Sequence, residues 1–223
     1  MTVVTIPSAR RTRASRRRAP EIIDAAASVF AERGFHGATT QDIADVLGIR
    51  QASLYYYFAS KEGALELVCL KGVEGFFDAA KVIAQSPGRP SEKLKKLIKS
   101  HLSPLTDRSD YMKVFLSDRQ NLPTESRRRI GKWSRGLERI FEDVLKEGVR
   151  IGEFRVDLDT RLATLAILGM LNAVVTWYRK EEVPIGRIAD EFARLTLLGV
   201  LNAPARRAAE GRRRHRDQAA VGR

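Results

Sequence analysis

The chain has 223 residues, 43% of them hydrophobic, a single cysteine and a formal net charge of +13. That is enough apolar material for a sizeable core, too little cysteine for a disulfide scaffold, and an excess of positive charge that points to a polyanionic partner. The charge is unevenly placed: residues 1–20 hold six arginines and no acid, residues 203–223 hold seven arginines against Glu210 and Asp217, and the body between them is nearly neutral.

No apolar run follows the arginine-rich start, which excludes a secretory signal. The lone Cys69 cannot close an intrachain disulfide, which suits a reducing cytoplasm, and its place in a helical pattern marks it as a small buried hydrophobe. Residues 162–178 carry no charge, yet this stretch includes Thr164, Asn172 and Thr176 and falls short of the ~20 residues that span a bilayer. It reads as a core or interface helix, and the chain as cytoplasmic with no membrane partner.

In chain order, residues 1–19 lack periodicity and read as a disordered basic arm. A first helix is predicted from Pro20 or Glu21, with Ile22, Ala26, Val29 and Phe30 inward and Gly34 as its stop. Thr39 stands three residues before Asp42, an approximate capping box for a second helix. Its Ile43, Val46 and Leu47 are expected inward, and Gly48 ends it. Ile49 fills the space before a third helix, about Arg50 to Phe58. A fourth, capped by Ser60, continues through Leu65, Val68, Phe76 and Ile83 to the breaker Ser86-Pro87-Gly88-Arg89-Pro90. Ser91 caps a fifth, with Leu94, Leu97, Ile98, His101 and Leu102 on one side.

A sixth helix follows over about 110–119. The next runs from Thr124 to the glycines 148 and 152, with the stripe Ile130, Trp133, Leu137, Ile140, Phe141 and Val144. The helix over about 159–179 is apolar nearly all round and should be buried on several sides. A last helix covers about 187–202, and residues 203–223 form a second disordered basic tail. The result is an all-α chain of about nine helices, without strand or internal repeat.

Residues 39–58, TTQDIADVLGIRQASLYYYF, carry the chemistry. Two short helices joined at a glycine make a helix-turn-helix. On a wheel of 100° per residue with Leu54 inward, Phe58 lies beside it and Ala52 and Tyr56 point outward. Ser53 and Tyr55 flank them, and Gln51 and Tyr57 sit at the edges. Three successive tyrosines sweep about 200° of the wheel, so at least one is exposed. A small residue allowing close approach, an amide that can pair with an adenine edge, and hydroxyls and phenols that reach phosphates or thymine methyls suit a major groove. Residues 21–67 nonetheless hold seven acids against three bases, net −4. The six arginines from Arg10 to Arg18 are therefore expected to supply attraction, along the backbone or in the minor groove. A solvated arm with non-specific affinity is the competing reading, and the tail from Arg206 to Arg216 is either solvated or non-specifically DNA-associated.

Residues 21 to about 67 resemble the DNA-binding domain of the tetracycline-repressor (TetR/AcrR) family. The likeness rests on Ala26, Phe30, Gly34, Phe35, Thr39, Thr40, Ile43, Ala44, Leu47, Gly48, Ile49, Leu54, Tyr55, Phe58, Lys61 and Glu62, matched without a gap. It implies a homodimeric repressor with a helix-turn-helix domain over 17–77 (motif 40–59) and a ligand-binding and dimerisation domain over 78–202. By position it maps contacts to a double-stranded DNA operator onto Thr39, Thr40, Gln51, Ala52, Ser53, Tyr55, Tyr56, Tyr57 and Lys61, with Thr40 and Lys61 on phosphates. Ala52 stands where the family often has Gly or Lys.

The same resemblance places an effector site among the helices between Ser91 and Arg179. Candidate lining residues are Met112, Phe115, Leu116, Arg119, Trp133, Leu137, Leu168, Leu171, Asn172, Val175 and Trp177, a mostly apolar set with Asn172 and Arg119 as sparse polar groups. Each taken alone also reads as core. The second half, from SDRQNLP (117–123) to GMLNAVVTWYR (169–179), looks like the branch that governs fatty-acid and steroid-ring breakdown and responds to acyl-CoA thioesters; Arg119, Trp177, Tyr178 and Arg179 carry this likeness. The implied effector is a small apolar molecule, such as a CoA thioester, with no cofactor and no metal. A ligand wedged among these helices would move the fourth helix and change the spacing of two recognition helices from one DNA turn, ~34 Å. Leu162, Leu165, Phe192, Leu195 and Leu198 are expected at the dimer interface, from their apolar surplus.

Enzyme classes find no support: His36, His101 and His215 are isolated, and the chain has no HExxH, CxxC, GxGxxG or nucleophile elbow. Two rival readings use the basic tails. A membrane-surface protein would bind lipid without sequence-specific DNA binding, and an architectural protein would bind operator and random DNA alike. Neither accounts for the Gly48 turn or the tyrosine face.

Overall fold

The computed structural model describes residues 13–73, 76–107, 109–178 and 182–204, with side chains from Arg18 onward. The arm as far as residue 12, Arg179 and the tail from residue 205 lie outside the described residues. The architecture is all-α: α1 (Arg13–Gly37), α2 (Thr40–Leu47), α3 (Gln51–Leu54), α4 (Lys61–Val73), α5 (Phe76–Gln85), α6 (Pro90–Leu102), α7 (Ser109–Asp118), α8 (Thr124–Arg150), α9 (Thr160–Trp177) and α10 (Ile185–Val200). The expected single helix from Ser60 through Ile83 is described in two parts, α4 and α5. Among the described residues, extended pairing is limited to one isolated antiparallel bridge, Phe154 to Leu201. The chain divides into two compact units, Met1–Glu74 with Leu105–Ser134, and Gly75–Pro104 with Arg135–Arg223. The sequence suggested one boundary near 77–78. The fold sends residues 105–134 back to the first unit, because α7 packs against α1 and α4.

In the first unit, α1 opens at Arg13 rather than at Pro20, so the end of the expected arm is helix and Pro20 lies inside it. Alanine and arginine are strong helix formers, and the proline costs the one hydrogen bond its missing N–H would have made to the Arg16 carbonyl. The predicted stripe is buried: Ile22, Ala26, Val29 and Phe30 are each no more than 3% exposed. Gly34, at φ 68°, breaks the helical path where a stop was expected. Thr39 caps α2 through a full capping box. Its Oγ1 accepts from the Asp42 amide at 3.1 Å, and Asp42 Oδ2 accepts from the Thr39 amide at 2.7 Å. The Thr39 hydroxyl and amide, with Arg33 beside them, hold the Asp42 carboxyl below its ordinary value. Val46 corrects the sequence reading, being 62% exposed. Ile43, Ala44 and Leu47 centre the inward stripe, and Val46 falls about 105° away from that centre at 100° per residue.

Residues 105–134 complete this core. Tyr111, Val114, Phe115, Leu122 and Ile130 join the side chains of α1 and α4 in one cluster. Tyr111 donates its hydroxyl proton to Asp24 Oδ1 at 2.5 Å, and His36 Nε2 lies 3.0 Å from Asn121 Oδ1. Glu66, buried on α4, accepts from Ser126 Oγ at 2.7 Å and pairs with Arg129. Cys69 is fully enclosed, and burial pushes its thiol up to about 12, which suits the packing role expected of it.

In the second unit α6 is central, with α5, α9 and α10 packed against it. Pro90 occupies its first turn. Ser91 is not its cap: the hydroxyl donates to Glu153 Oε1 at 2.6 Å and the amide to Oε2 at 3.3 Å, so a buried carboxylate from beyond α8 serves that end. Gly148 permits a close approach, since a Cβ there would stand 2.1 Å from Phe154 Cδ2. The expectation that the helix over 159–179 is buried on several sides is corrected. Thr164, Ile167, Leu168, Leu171 and Val174 are buried, while Leu162 and Leu165 are 64% and 44% exposed. By length and composition alone α9 could cross a membrane. Asp159 caps it, accepting from the Leu162 amide at 2.9 Å.

Candidate nucleic-acid interface and effector site

The turn that presents the reading surface is built by Gly48. Its left-handed backbone, φ 61°, lets its amide close on the Ala44 and Asp45 carbonyls and sends the chain directly into α3. The third helix is shorter than expected. Regular α-helix ends at Leu54, and a tight turn continues through Tyr57, with the Tyr57 and Phe58 amides both bonded to the Leu54 carbonyl, at 2.8 and 3.2 Å. The wheel assignment survives this tightening because Leu54 and Phe58, 0% and 5% exposed, anchor both ends inward.

Against that anchor, Tyr56 is 73% exposed and Tyr55 is 49% exposed. Ala52 is exposed beside them, Ser53 is half-buried, and Tyr57 packs its ring on the core. Thr39 is held in its capping box. Thr40, the first residue of α2, receives a 2.5 Å hydrogen bond from Gln51 Nε2. That bond reaches across the turn and fixes the Gln51 amide relative to both helices; one Nε2 proton and the Oε1 acceptor remain for a base edge.

Lys61 is drawn into the fold more than expected. Its ammonium donates to the Phe35 and Ala38 carbonyls at 2.8 and 2.9 Å and lies 4.5 Å from the centre of the Phe35 ring. A phosphate contact from Lys61 would have to use the third ammonium proton. The one sequence signal for this structural duty is the helix stop at Gly34, which leaves carbonyls just beyond it in need of a donor.

The expected effector-lining residues are divided between the units. Met112, Phe115, Leu116, Arg119 and Trp133 belong to the first, where Phe115 is buried with the Arg119 guanidinium 5.0 Å from its ring centre, and Trp133 is 40% exposed. Leu137, Leu168, Leu171, Asn172, Val175 and Trp177 belong to the second. There Leu168 and Leu171 are buried, and Trp177 lies 6.2 Å from the Phe192 ring. Asn172 Oδ1 sits 3.0 Å from His101 Nε2. The sequence reads His101, on the apolar side of its helix, as a core or pocket histidine rather than a general base; its partnership with a residue 71 positions away has no local sequence signal. Among the described residues no cluster of His, Cys, Asp and Glu could hold a metal ion.

Residues 22–68 match the family described as bacterial regulatory proteins, tetR family, and residues 87–200 match the tetracyclin repressor-like, C-terminal domain. Among curated proteins, the HTH-type transcriptional repressor KstR2 of Mycobacterium tuberculosis is 31% identical over 160 residues, covering 71% of this chain and 80% of the relative. The fatty acid metabolism regulator protein of Bacillus subtilis is 29% identical over 184 residues, 82% of this chain and 95% of the relative. The solved structure of the ketosteroid transcriptional regulator KstR2 of Mycobacterium tuberculosis superposes with a TM-score of 0.78 at 28% identity, covering 83% of this chain and 95% of that one. With both halves matched and a relative above 30% identity spanned over most of its length, the chain belongs to the TetR family of DNA-binding transcriptional regulators, which are not enzymes.

Proposed function

We propose that this chain is a dimeric repressor that holds a palindromic operator through Thr39, Thr40, Gln51, Ala52, Ser53, Tyr55, Tyr56, Tyr57 and, by its remaining ammonium proton, Lys61. An effector with an apolar body, for which the acyl part of a CoA thioester of a fatty or steroid-derived acid is the candidate, releases it. The observation that carries the DNA reading is the outward phenol of Tyr56, 73% exposed next to Ala52 while Leu54 and Phe58 fill the core behind it. A bundle needing aromatics only for packing would not spend one there. The effector reading is supported by the names of the relatives, one tied to ketosteroids and one to fatty-acid metabolism. It is also supported by the sparse polar groups in the apolar core of the second unit.

The dimer surface is the free side of α9 and α10, where Leu162, Leu165 and Leu195 are 64%, 44% and 49% exposed. Two copies joined there set the separation of their recognition helices, and an effector acts by binding one separation better than the other. The test pairs a thermal-shift screen of acyl-CoA thioesters and their free acids with competition between operator and random duplex. Stabilisation by a thioester, together with loss of operator binding, is the expected result. No shift with any thioester sinks the thioester reading. Equal affinity for operator and random DNA sinks the repressor reading and favours a non-specific binder.

A further inference from the structure

The second unit contains a buried imidazole that its fold leaves half satisfied. His101, on α6, is 8% exposed; Nε2 faces Asn172 Oδ1, on α9, at 3.0 Å, and Nδ1 is buried with no hydrogen-bond partner. Phe76 of α5 and Phe141 of α8 present their rings at 66° and 90° to the imidazole, with centroids 5.8 and 6.4 Å away. Four helices therefore meet at one polar pair in apolar surroundings. An amide oxygen only accepts, so Nε2 carries the ring proton and Nδ1 is a bare lone pair. Burial holds the imidazole below its ordinary pKa, which keeps it neutral near pH 7. A packed core gains nothing from a desolvated acceptor without a donor, whereas a ligand that brings a donor recovers the loss.

We propose that the His101–Asn172 pair is the polar recognition point of the effector site, and that the effector presents a hydroxyl from within an apolar body to His101 Nδ1. This rests on the reading that the second unit binds an effector, but not on the effector being a thioester. A carboxylate is refused there: it offers only acceptors to an acceptor, and the pair carries no positive charge to offset its desolvation. Because Nδ1 is out of solvent reach, entry turns aside one of the two flanking phenyl rings.

The experiment uses the full chain with nitrogen-15-labelled histidine and three probes of similar length: dodecan-1-ol, undecyl methyl ether and laurate. His101→Phe assigns the resonance and serves as the binding control. In the free protein His101 should show Nδ1 unprotonated. Dodecan-1-ol should shift that nitrogen and bind roughly 10-fold tighter than the ether, the worth of about one hydrogen bond at 1.4 kcal/mol per tenfold. Laurate should be the weakest, and His101→Phe should erase the alcohol's advantage while keeping a cooperative melt. The proposal is overturned by a protonated Nδ1, by equal binding of alcohol and ether, by an advantage that survives in His101→Phe, or by no binding of any probe. If thioesters still release operator while the alcohol fails, only this inference falls; if the alcohol binds while thioesters fail, only the thioester reading falls.

Discussion

Thr40→Val tests how the reading surface is organised. The Gln51 Nε2 to Thr40 Oγ1 bond, 2.5 Å long and half-buried, holds the amide in one orientation before DNA arrives. Valine keeps the shape and removes the acceptor. A neutral hydrogen bond contributes about 1 kcal/mol, and a released glutamine regains rotamer freedom that must be given up again on binding, of similar size. Taking about 1 kcal/mol per half-site, a dimer on a palindrome loses about 2 kcal/mol, roughly 30-fold in affinity. The Thr40 hydroxyl was also expected on a phosphate, but removing a phosphate contact weakens all sequences alike, whereas removing a base orientation weakens only the operator. The assay is fluorescence anisotropy at fixed salt, with an operator recovered by selection from a random duplex pool and with a scrambled duplex. Thr40→Val should lose roughly 30-fold on the operator and less than about 3-fold on the scramble, and Thr40→Ser should restore both. Equal losses on the two duplexes, or failure of serine to restore operator binding, would refute the orientation argument.

The other expected outcomes are more direct. Lys61→Met removes two charge-assisted bonds to the Phe35 and Ala38 carbonyls. It should cost about 2 kcal/mol, a Tm drop of about 4–8 °C in a chain of this size; an unchanged melt would return Lys61 to a purely DNA-facing role. Leu165→Glu with Leu195→Glu places two charges on the exposed apolar side of α9 and α10 and should shift sedimentation from dimer to monomer; an intact dimer would place the interface elsewhere. Changing the six arginines from Arg10 to Arg18 to glutamine should flatten the dependence of log K on log salt by about 0.9 for each phosphate no longer neutralised, and an unchanged slope means the arm is only solvated. Burial lowers the His101 pKa from its ordinary 6.5, so the unfolded chain takes up that proton first. The stability tied to neutral His101 is whole above the unfolded value and is lost as pH falls below it towards the folded value. His101→Phe should flatten the loss of stability as pH falls below the ordinary histidine value of 6.5; an equally steep loss in the variant assigns the slope to other groups.

What was legible in the sequence was local. The capping box at Thr39 and Asp42, the left-handed Gly48 and the inward pair Leu54 and Phe58 are each decided within a few residues, and the fold contains them. Three things were not legible. Val46 looks inward by its three-residue step from Ile43, but the buried Ala44 shifts the centre of the stripe away from it. The side chains that clamp residues 105–134 onto α1 and α4, namely Tyr111 to Asp24, Asn121 to His36, and Ser126 and Arg129 to Glu66, act over 60 or more positions, where periodicity says nothing. The open side of α9, with Leu162 and Leu165 exposed, could not be read because uniform apolarity looks the same in a helix buried all round and in one buried on a single side.

The return of residues 105–134 also changes the electrostatic picture of the DNA-binding unit. Residues 21–67 alone carry net −4, the ground for expecting the arginine arm to supply attraction. Residues 105–134 hold seven bases against four acids, net +3, and belong to the same unit. One of those bases, Arg129, is spent on the buried Glu66, an acid counted in the −4. The unit is thus close to neutral without the arm, and repulsion from phosphate is smaller than the short domain suggested. Attraction still requires added positive charge, and α1 now begins at Arg13, which puts Arg13, Arg16, Arg17 and Arg18 at the head of a helix continuous with the core of the reading unit. Backbone already held in a helix has less conformational entropy to lose on meeting DNA than backbone that must be ordered on each encounter. Changing only Arg10 and Arg11 should therefore reduce the salt slope less per residue than changing the four arginines from Arg13 to Arg18, and the reverse order would return the attraction to a flexible arm.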